Sequence, residues 1–180
     1  MPKRSSLDGN ILGGGLSEYL VIPAWQIIRM PHDVDMRHAA LTEPLACCIH
    51  SIRKARLKFG DTVVIIGMGI MGYFHVKLAQ MCGARIIVSE TDEEKRKTAI
   101  REGAAYAFDP RQCDVGEEIR RLTDGLGADA VINTIPFKEV WQQAIDMLAP
   151  YGRLIAYSSQ NSKEPIGVDF GMVHSREIEF

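Results

Sequence analysis

From Asp61 onward the chain alternates short apolar runs with longer stretches in which apolar residues recur every three to four positions. The runs are Thr62–Ile66, Arg85–Ser89, Ala105–Phe108, Ala130–Asn133 and Gly152–Tyr157. None shows the strict polar alternation of a strand with one wet face. Helices are predicted between them near 70–81, 92–101, 114–123 and 137–148, the last turning Val140, Trp141, Ala144 and Leu148 toward the sheet. Glu177–Phe180 reads as a sixth strand cut off in mid-run. Strands apolar on both faces and joined by helices call for a parallel sheet covered on both sides. Right-handed crossovers then leave the order 3-2-1-4-5-6 as the simplest arrangement. The expected fold is α/β, a doubly wound parallel six-stranded sheet.

The first third of the chain reads differently. Residues 1–15 are polar and glycine-rich, ending in Gly13–Gly15, and carry no period. Leu16 to Met30 has strand character, with Tyr19, Leu20, Val21 and Ile22 before Pro23, then Ile27 and Ile28. An isolated hairpin is marginal in water, so these residues need a partner that the stretch does not supply. A helix follows, with Thr42 as its predicted cap and Pro44 in its first turn. Leu45, Cys48, Ile49, Ile52 and Ala55 share one face, and Gly60 stops the run. The chain thus divides into 1–30, a linker and connecting helix at 31–59, and a sheet domain at 60–180.

The most specific feature is the turn after the first strand, Gly67-x-Gly69-x-x-Gly72, with an acid, Glu90, closing the next strand. A dinucleotide fold needs these parts in this register. Gly67 allows a tight turn, Gly69 lets a diphosphate approach bare backbone, and Gly72 lets the helix sit close to the strand. The helix N-terminus offers the amides of Ile70 and Met71 and the positive end of its dipole. Glu90 can accept hydrogen bonds from the adenosine ribose hydroxyls, which argues for NAD.

Composition narrows the partners. Of the 180 residues 46% are hydrophobic and 24% charged, with a formal charge of −2, which gives no reason to expect a nucleic-acid partner. No apolar run approaches the roughly 18–20 residues of a membrane helix, and the basic start leads into no signal core. Cys47, Cys48, Cys82 and Cys113 include no Cys-x-x-Cys pair and read as free thiols in a reducing compartment. A cytoplasmic protein is expected. The five histidines show no ligand-like spacing, and no Ser-His-Asp or Cys-His set is visible.

Four groups of residues carry a family likeness: Gly14 to Pro23; Ala39 to Leu45, including Glu43-Pro44; Gly60 to Gly67 with its glycine turn; and Arg101 to Ala104 with Gly152 to Leu154. Together they resemble the medium-chain dehydrogenases, specifically the zinc-dependent alcohol, sorbitol and threonine dehydrogenase branch. The resemblance implies a Rossmann dinucleotide-binding domain, an NAD cofactor, and an alcohol or polyol as substrate of the intact enzyme. It also implies that Lys95 sits by the adenosine ribose, and that Thr134 and Ser158 lie where the family holds the nicotinamide ribose and amide. Read without it, those two are equally ordinary loop hydroxyls. NADP-selective relatives place a small residue and then an arginine where this chain has Glu90-Thr91.

In that family zinc polarises the alcohol, through ligands lying mostly before the segment that matches Gly14. Glu43 is the one candidate metal-shell residue here, and by itself it reads equally well as an acid in a first helical turn. The resemblance therefore implies an excised or truncated nucleotide-binding domain that does not oxidise alcohols by itself. Residues 13–30 would be a strand remnant of the catalytic domain that can exchange between copies, so a homo-oligomer is among the expected assemblies. Two alternatives stand beside this reading: a zinc-free, NADPH-dependent quinone reductase domain, and a non-catalytic NAD-sensing module.

Overall fold

The computed structural model describes residues 18–159 and 165–180. Two compact units, 1–40 and 41–180, partition the chain. In the first unit the described residues hold a 3-10 turn, Ala24–Gln26, and a short helix α1, Met36–Ala39, capped by Asp35. The strand character of 18–30 does not become a strand among them, and Tyr19, Val21, Trp25 and Ile28 are exposed. A strand without a neighbour leaves its amides and carbonyls to water, so β propensity alone does not form one. The polar, glycine-rich start and the beginning of that run lie outside the described residues.

The second unit is the sheet. Helix α2, Thr42–Ala55, leads into β1, Thr62–Ile66, then α3, Ile70–Met81, and β2, Arg85–Ser89. Helix α4, Glu93–Arg101, β3, Tyr106–Phe108, α5, Val115–Leu122, and β4, Ala128–Asn133, continue the alternation. Helix α6, Lys138–Asp146, β5, Leu148–Ala156, and α7, Phe170–Arg176, complete it. The five strands are all parallel, in the order β3-β2-β1-β4-β5.

Every residue of β1 is buried because both faces of the sheet are covered. Val63, Ile65, Ile86, Val88, Ala130 and Ile132 face Ile52 and Ala55 of α2, Val76 and Ala79 of α3 and Ala99 of α4. Their neighbours Val64, Ile66, Ile87 and Val131 face Val115 and Ile119 of α5 and Trp141, Ala144 and Ile145 of α6. At about 1.5–3 kcal/mol for each buried branched side chain, these two layers account for most of the drive to fold.

Four details depart from the sequence reading. Glu177–Phe180 forms a single parallel bridge, Arg153 to Glu179, so among the described residues the sheet has five strands rather than six. Helix α7 occupies a stretch for which the sequence pattern predicts no element; Asp169 caps it by accepting from the amides of Gly171 and Met172 at 2.8 and 3.1 Å. Strand β5 starts early, at Leu148, which pairs with Ala128 before the ladder resumes at Arg153 and Ala130. Pro150 has no amide to continue the ladder, and Tyr151 takes φ 63° there. Thr42 is the first residue of α2, not its cap; Leu41 holds that place without a side-chain bond.

Candidate functional site

Strand β1 pairs with β2 on one side and β4 on the other, so the chain crosses to opposite sides of β1 at this point. Such a switch leaves a crevice at the carboxyl ends of the strands. The crevice is lined by the three-glycine turn after β1, Glu90 after β2 and the loop 133–135 after β4.

The three glycines differ in what the fold asks of them. Gly67 has φ 92°, and a Cβ there would lie 2.6 Å from Thr134 Oγ1. Gly72 would put a Cβ 2.0 Å from the carbonyl oxygen of Gly67, so helix and turn touch through bare backbone. Gly69 has an ordinary φ of −70°. An added Cβ there would meet nothing within 4 Å. Folding does not need glycine at position 69, yet the space above it is open. Gly69 is also the N-cap of α3 and offers no side-chain bond to the first-turn amides. Ile70 and Met71 follow, Ile70 half exposed at 52%.

Glu90 lies at the rim, half-buried, and its carboxylate turns back onto the glycine turn. Oε2 accepts from the amide of Met68 at 2.7 Å, and Oε1 from the amide of Asp92 at 2.9 Å and the Thr91 hydroxyl at 3.2 Å. Burial opposes its ionisation, but these donors and nearby Lys95 hold its carboxyl below the ordinary value. A carboxylate has about four acceptor directions, so roughly one remains open, and the Thr91 bond is the longest of the three. Lys95 lies exposed in the first turn of α4.

On the β4 side, the Thr134 hydroxyl donates to the carbonyl of Ile66 at 2.7 Å, pinning the loop over Gly67. The amide of Ser158 donates to the carbonyl of Asn133 at 3.1 Å. Among the described residues, Ser158 Oγ and Asn133 Nδ2 are buried without a hydrogen-bond partner. Asn133 is fully buried, and its Oδ1 is taken by the amide of Ile135 at 2.9 Å. An orphaned amide donor at a strand's carboxyl end costs free energy unless a ligand or water meets it. Sequence reading passed over Asn133 as the last letter of an apolar run; a polar residue ending a strand at the switch point was the available signal.

Beneath Met71 a buried cluster holds the start of α3. His75 Nδ1 donates to the Met71 carbonyl at 2.7 Å, which sets its tautomer, and its Nε2 accepts from Ser51 Oγ at 2.8 Å. Burial lowers its pKa, so it is neutral and structural. The Tyr157 hydroxyl reaches Met71 Sδ at 3.2 Å, and burial raises its pKa, ahead of its bond with Cys48. Both ring nitrogens of His75 are engaged, and Tyr157 keeps its proton at neutral pH.

Glu43 is exposed in the first turn of α2, accepting from Cys47 Sγ at 3.4 Å. Among the described residues no three His, Cys, Asp or Glu side chains gather as metal ligands. One carboxylate and a neighbouring thiol do not fit a catalytic zinc, which takes three protein ligands. No described helix is long and apolar enough to cross a membrane. Two cavities lie away from the crevice: about 820 Å³ beside Arg111, Arg120 and Arg176, and about 560 Å³ around Thr62, Arg85 and Tyr151. Neither includes the glycine turn or Glu90, so topology, not cavity volume, picks out the site.

Comparison with known proteins shows the family. A family described as zinc-binding dehydrogenase matches residues 67–180. Sorbitol dehydrogenase of Halalkalibacterium halodurans is 35% identical over 147 residues, 81% of this chain and 43% of that protein. L-threonine 3-dehydrogenase of Pyrococcus furiosus is 31% identical over 142 residues, 78% of this chain and 40% of that protein. A candidate zinc-binding dehydrogenase from Sinorhizobium meliloti 1021, solved bound to NADP, superposes with a TM-score of 0.78 at 31% identity over 83% of this chain and 44% of its own. The matched stretches are less than half of each relative's length.

Proposed function

The chain belongs to the zinc-binding dehydrogenase family, and from that premise we propose that it binds NAD across the carboxyl ends of β1, β2 and β4, as the cofactor half of a zinc-type alcohol or polyol dehydrogenase. When bound, NAD supplies the acceptor for the hydride leaving the alcohol in the intact enzyme. The chain's own residues hold and select it. The amides of Ile70 and Met71, with the α3 dipole behind them, face the diphosphate. Gly67 and Gly72 bring turn and helix together, and Gly69 leaves the diphosphate room. Glu90 takes a ribose hydroxyl at its open acceptor direction and repels a 2′-phosphate, while Lys95 balances its charge. Thr134 and Ser158, joined by Asn133, line the nicotinamide end. Glu43 gathers no ligand set, so no step through zinc is assigned to this chain, and alcohol turnover is not expected of it alone.

The observation that carries the reading is Gly69: ordinary backbone, open space and a helix end with no cap of its own. A second reading, NADP, draws support from the Sinorhizobium relative bound to NADP and from Arg96 and Arg111, whose guanidinium groups meet the carbonyl of Thr91, next to Glu90. Calorimetric titration separates the two. NAD should bind at least roughly tenfold tighter than NADP, about 1.4 kcal/mol. Equal affinities would defeat the role given to Glu90, and binding of neither would defeat the site. Turnover of alcohols or polyols with added zinc, above a Gly69 variant's background, would overturn the statement that this chain is inactive alone.

A further inference from the structure

The loop carrying Glu90 is clamped from behind by the segment after β3. The amide of Glu90 donates to the carbonyl of Phe108 at 3.0 Å. The next residue, Asp109, is nearly sealed, with its side chain 3% exposed. Its Oδ1 accepts from the amide and Nε of Arg111, each at 3.0 Å, and its Oδ2 from Arg111 Nη2 at 2.8 Å. Arg96 Nη1 lies 3.3 Å from the same Oδ2, and Gln112 Nε2 donates to it at 3.3 Å. The Arg111 bonds hold this carboxyl down at about 2, against the opposing effect of burial. At neutral pH it is an anion.

The two guanidinium groups then turn to the Glu90 loop. Arg96 Nη1 donates to the carbonyls of Glu90 and Thr91 at 2.8 and 2.7 Å, and Arg111 Nη2 to that of Thr91 at 2.5 Å. Arg111 also feels the charges of Asp92 and Glu90, and its side chain is 65% exposed. Two cations therefore stand one residue beyond the acid that closes β2, where a phosphate on the adenosine ribose would want them. Both are already engaged. A bidentate arginine–carboxylate pair fixes the guanidinium plane as well as its position.

We propose that Asp109 is a specificity-determining residue: by holding Arg111, and with it Arg96, against the Thr91 carbonyl, it withholds both cations from a 2′-phosphate and keeps the site selective for NAD. The inference rests on the dinucleotide reading above. Glu90 then repels the extra phosphate while Asp109 removes its counter-charges, and discrimination has two separable parts.

Asp109→Asn in the full chain keeps the shape and removes the charge. Titration with NAD and NADP should show the NADP Kd falling roughly tenfold and the NAD Kd moving less than about threefold. A residue that merely stabilises the loop would weaken both alike. Adding Arg111→Gln should cancel the gain. Arg111→Gln alone, at an exposed side chain, guards against a misfolded aspartate variant: it should change NADP affinity in the otherwise unmutated chain by less than about twofold, because that cation is already withheld. An unchanged NAD-to-NADP ratio in folded Asp109→Asn would overturn the proposal, as would a large NADP loss in Arg111→Gln alone. If the unmutated chain binds neither dinucleotide, the cofactor reading itself falls and takes this inference with it.

Discussion

Two successive crossovers in this sheet are built from opposite materials. At the entrance to α4, Asp92 accepts from the amide of Lys95 at 2.9 Å, Glu93 and Glu94 fill the first turn, and Lys97 pairs with both acids at 2.9 and 2.8 Å. That helix end satisfies itself. At the entrance to α3 there is no capping side chain and no acid in the first turn, only glycine and open space. A side-chain cap contributes about 1 kcal/mol, and α2 and α6, which also lack one, carry Glu43 and Glu139 in the first turn instead. Leaving one end bare is what a site for an anion requires.

Three substitutions probe that contrast. The largest effect belongs to Gly72→Ala, whose methyl would lie 2.0 Å from the Gly67 carbonyl oxygen. Backbone on both sides cannot yield without separating α3 from β1, so denaturant unfolding should show a loss of about 3 kcal/mol or more. Glu90→Gln comes next. The carboxyl of Glu90 lies below its ordinary value of 4.5, so its contribution to stability is complete above that value and fades as the pH falls through the depressed one. The parent's stability advantage over Glu90→Gln should therefore shrink below about pH 4.5; a constant gap across an acid titration would contradict this. The smallest effect is expected for Asp92→Ala, a loss of about 1 kcal/mol in thermal or denaturant unfolding, with NAD affinity unchanged within about twofold.

The same contrast shows why some of the molecule was legible and some was not. Strands β1, β2 and β4 announce themselves because burial on both faces demands a run of apolar letters, half-buried β3 at the sheet edge does so by Tyr106-Ala107-Phe108, and α4 and α5 begin at Asp92 and Asp114, which cap them. The glycine turn was legible as spacing. Its division of labour was not, since only the geometry separates Gly67 and Gly72, which the fold requires, from Gly69, which it does not. Residues 18–30 misled because Tyr19, Val21 and Ile28 have strand propensity, and pairing partners are invisible in a local window. Helix α7 was missed because a Gly171 in its first turn and a length of seven residues blur its period. Asn133, Asp109 and Arg111 escaped for a common reason: their importance comes from contacts across the sheet's carboxyl edge, which no local pattern encodes.

The central claim is that the open helix end at Gly69 is a diphosphate site. Gly69→Asp converts it into a copy of its neighbour, because the backbone there already has the extended ψ of an N-cap, −171°, and space for the side chain. Calorimetry with NAD on the parent and on this variant, alongside their unfolding curves, is the most direct test. The account predicts a variant as stable as the parent, within a few tenths of a kcal/mol, that has lost at least roughly a hundredfold in NAD affinity, about 2.7 kcal/mol. A stable variant that still binds NAD as the parent does would contradict it.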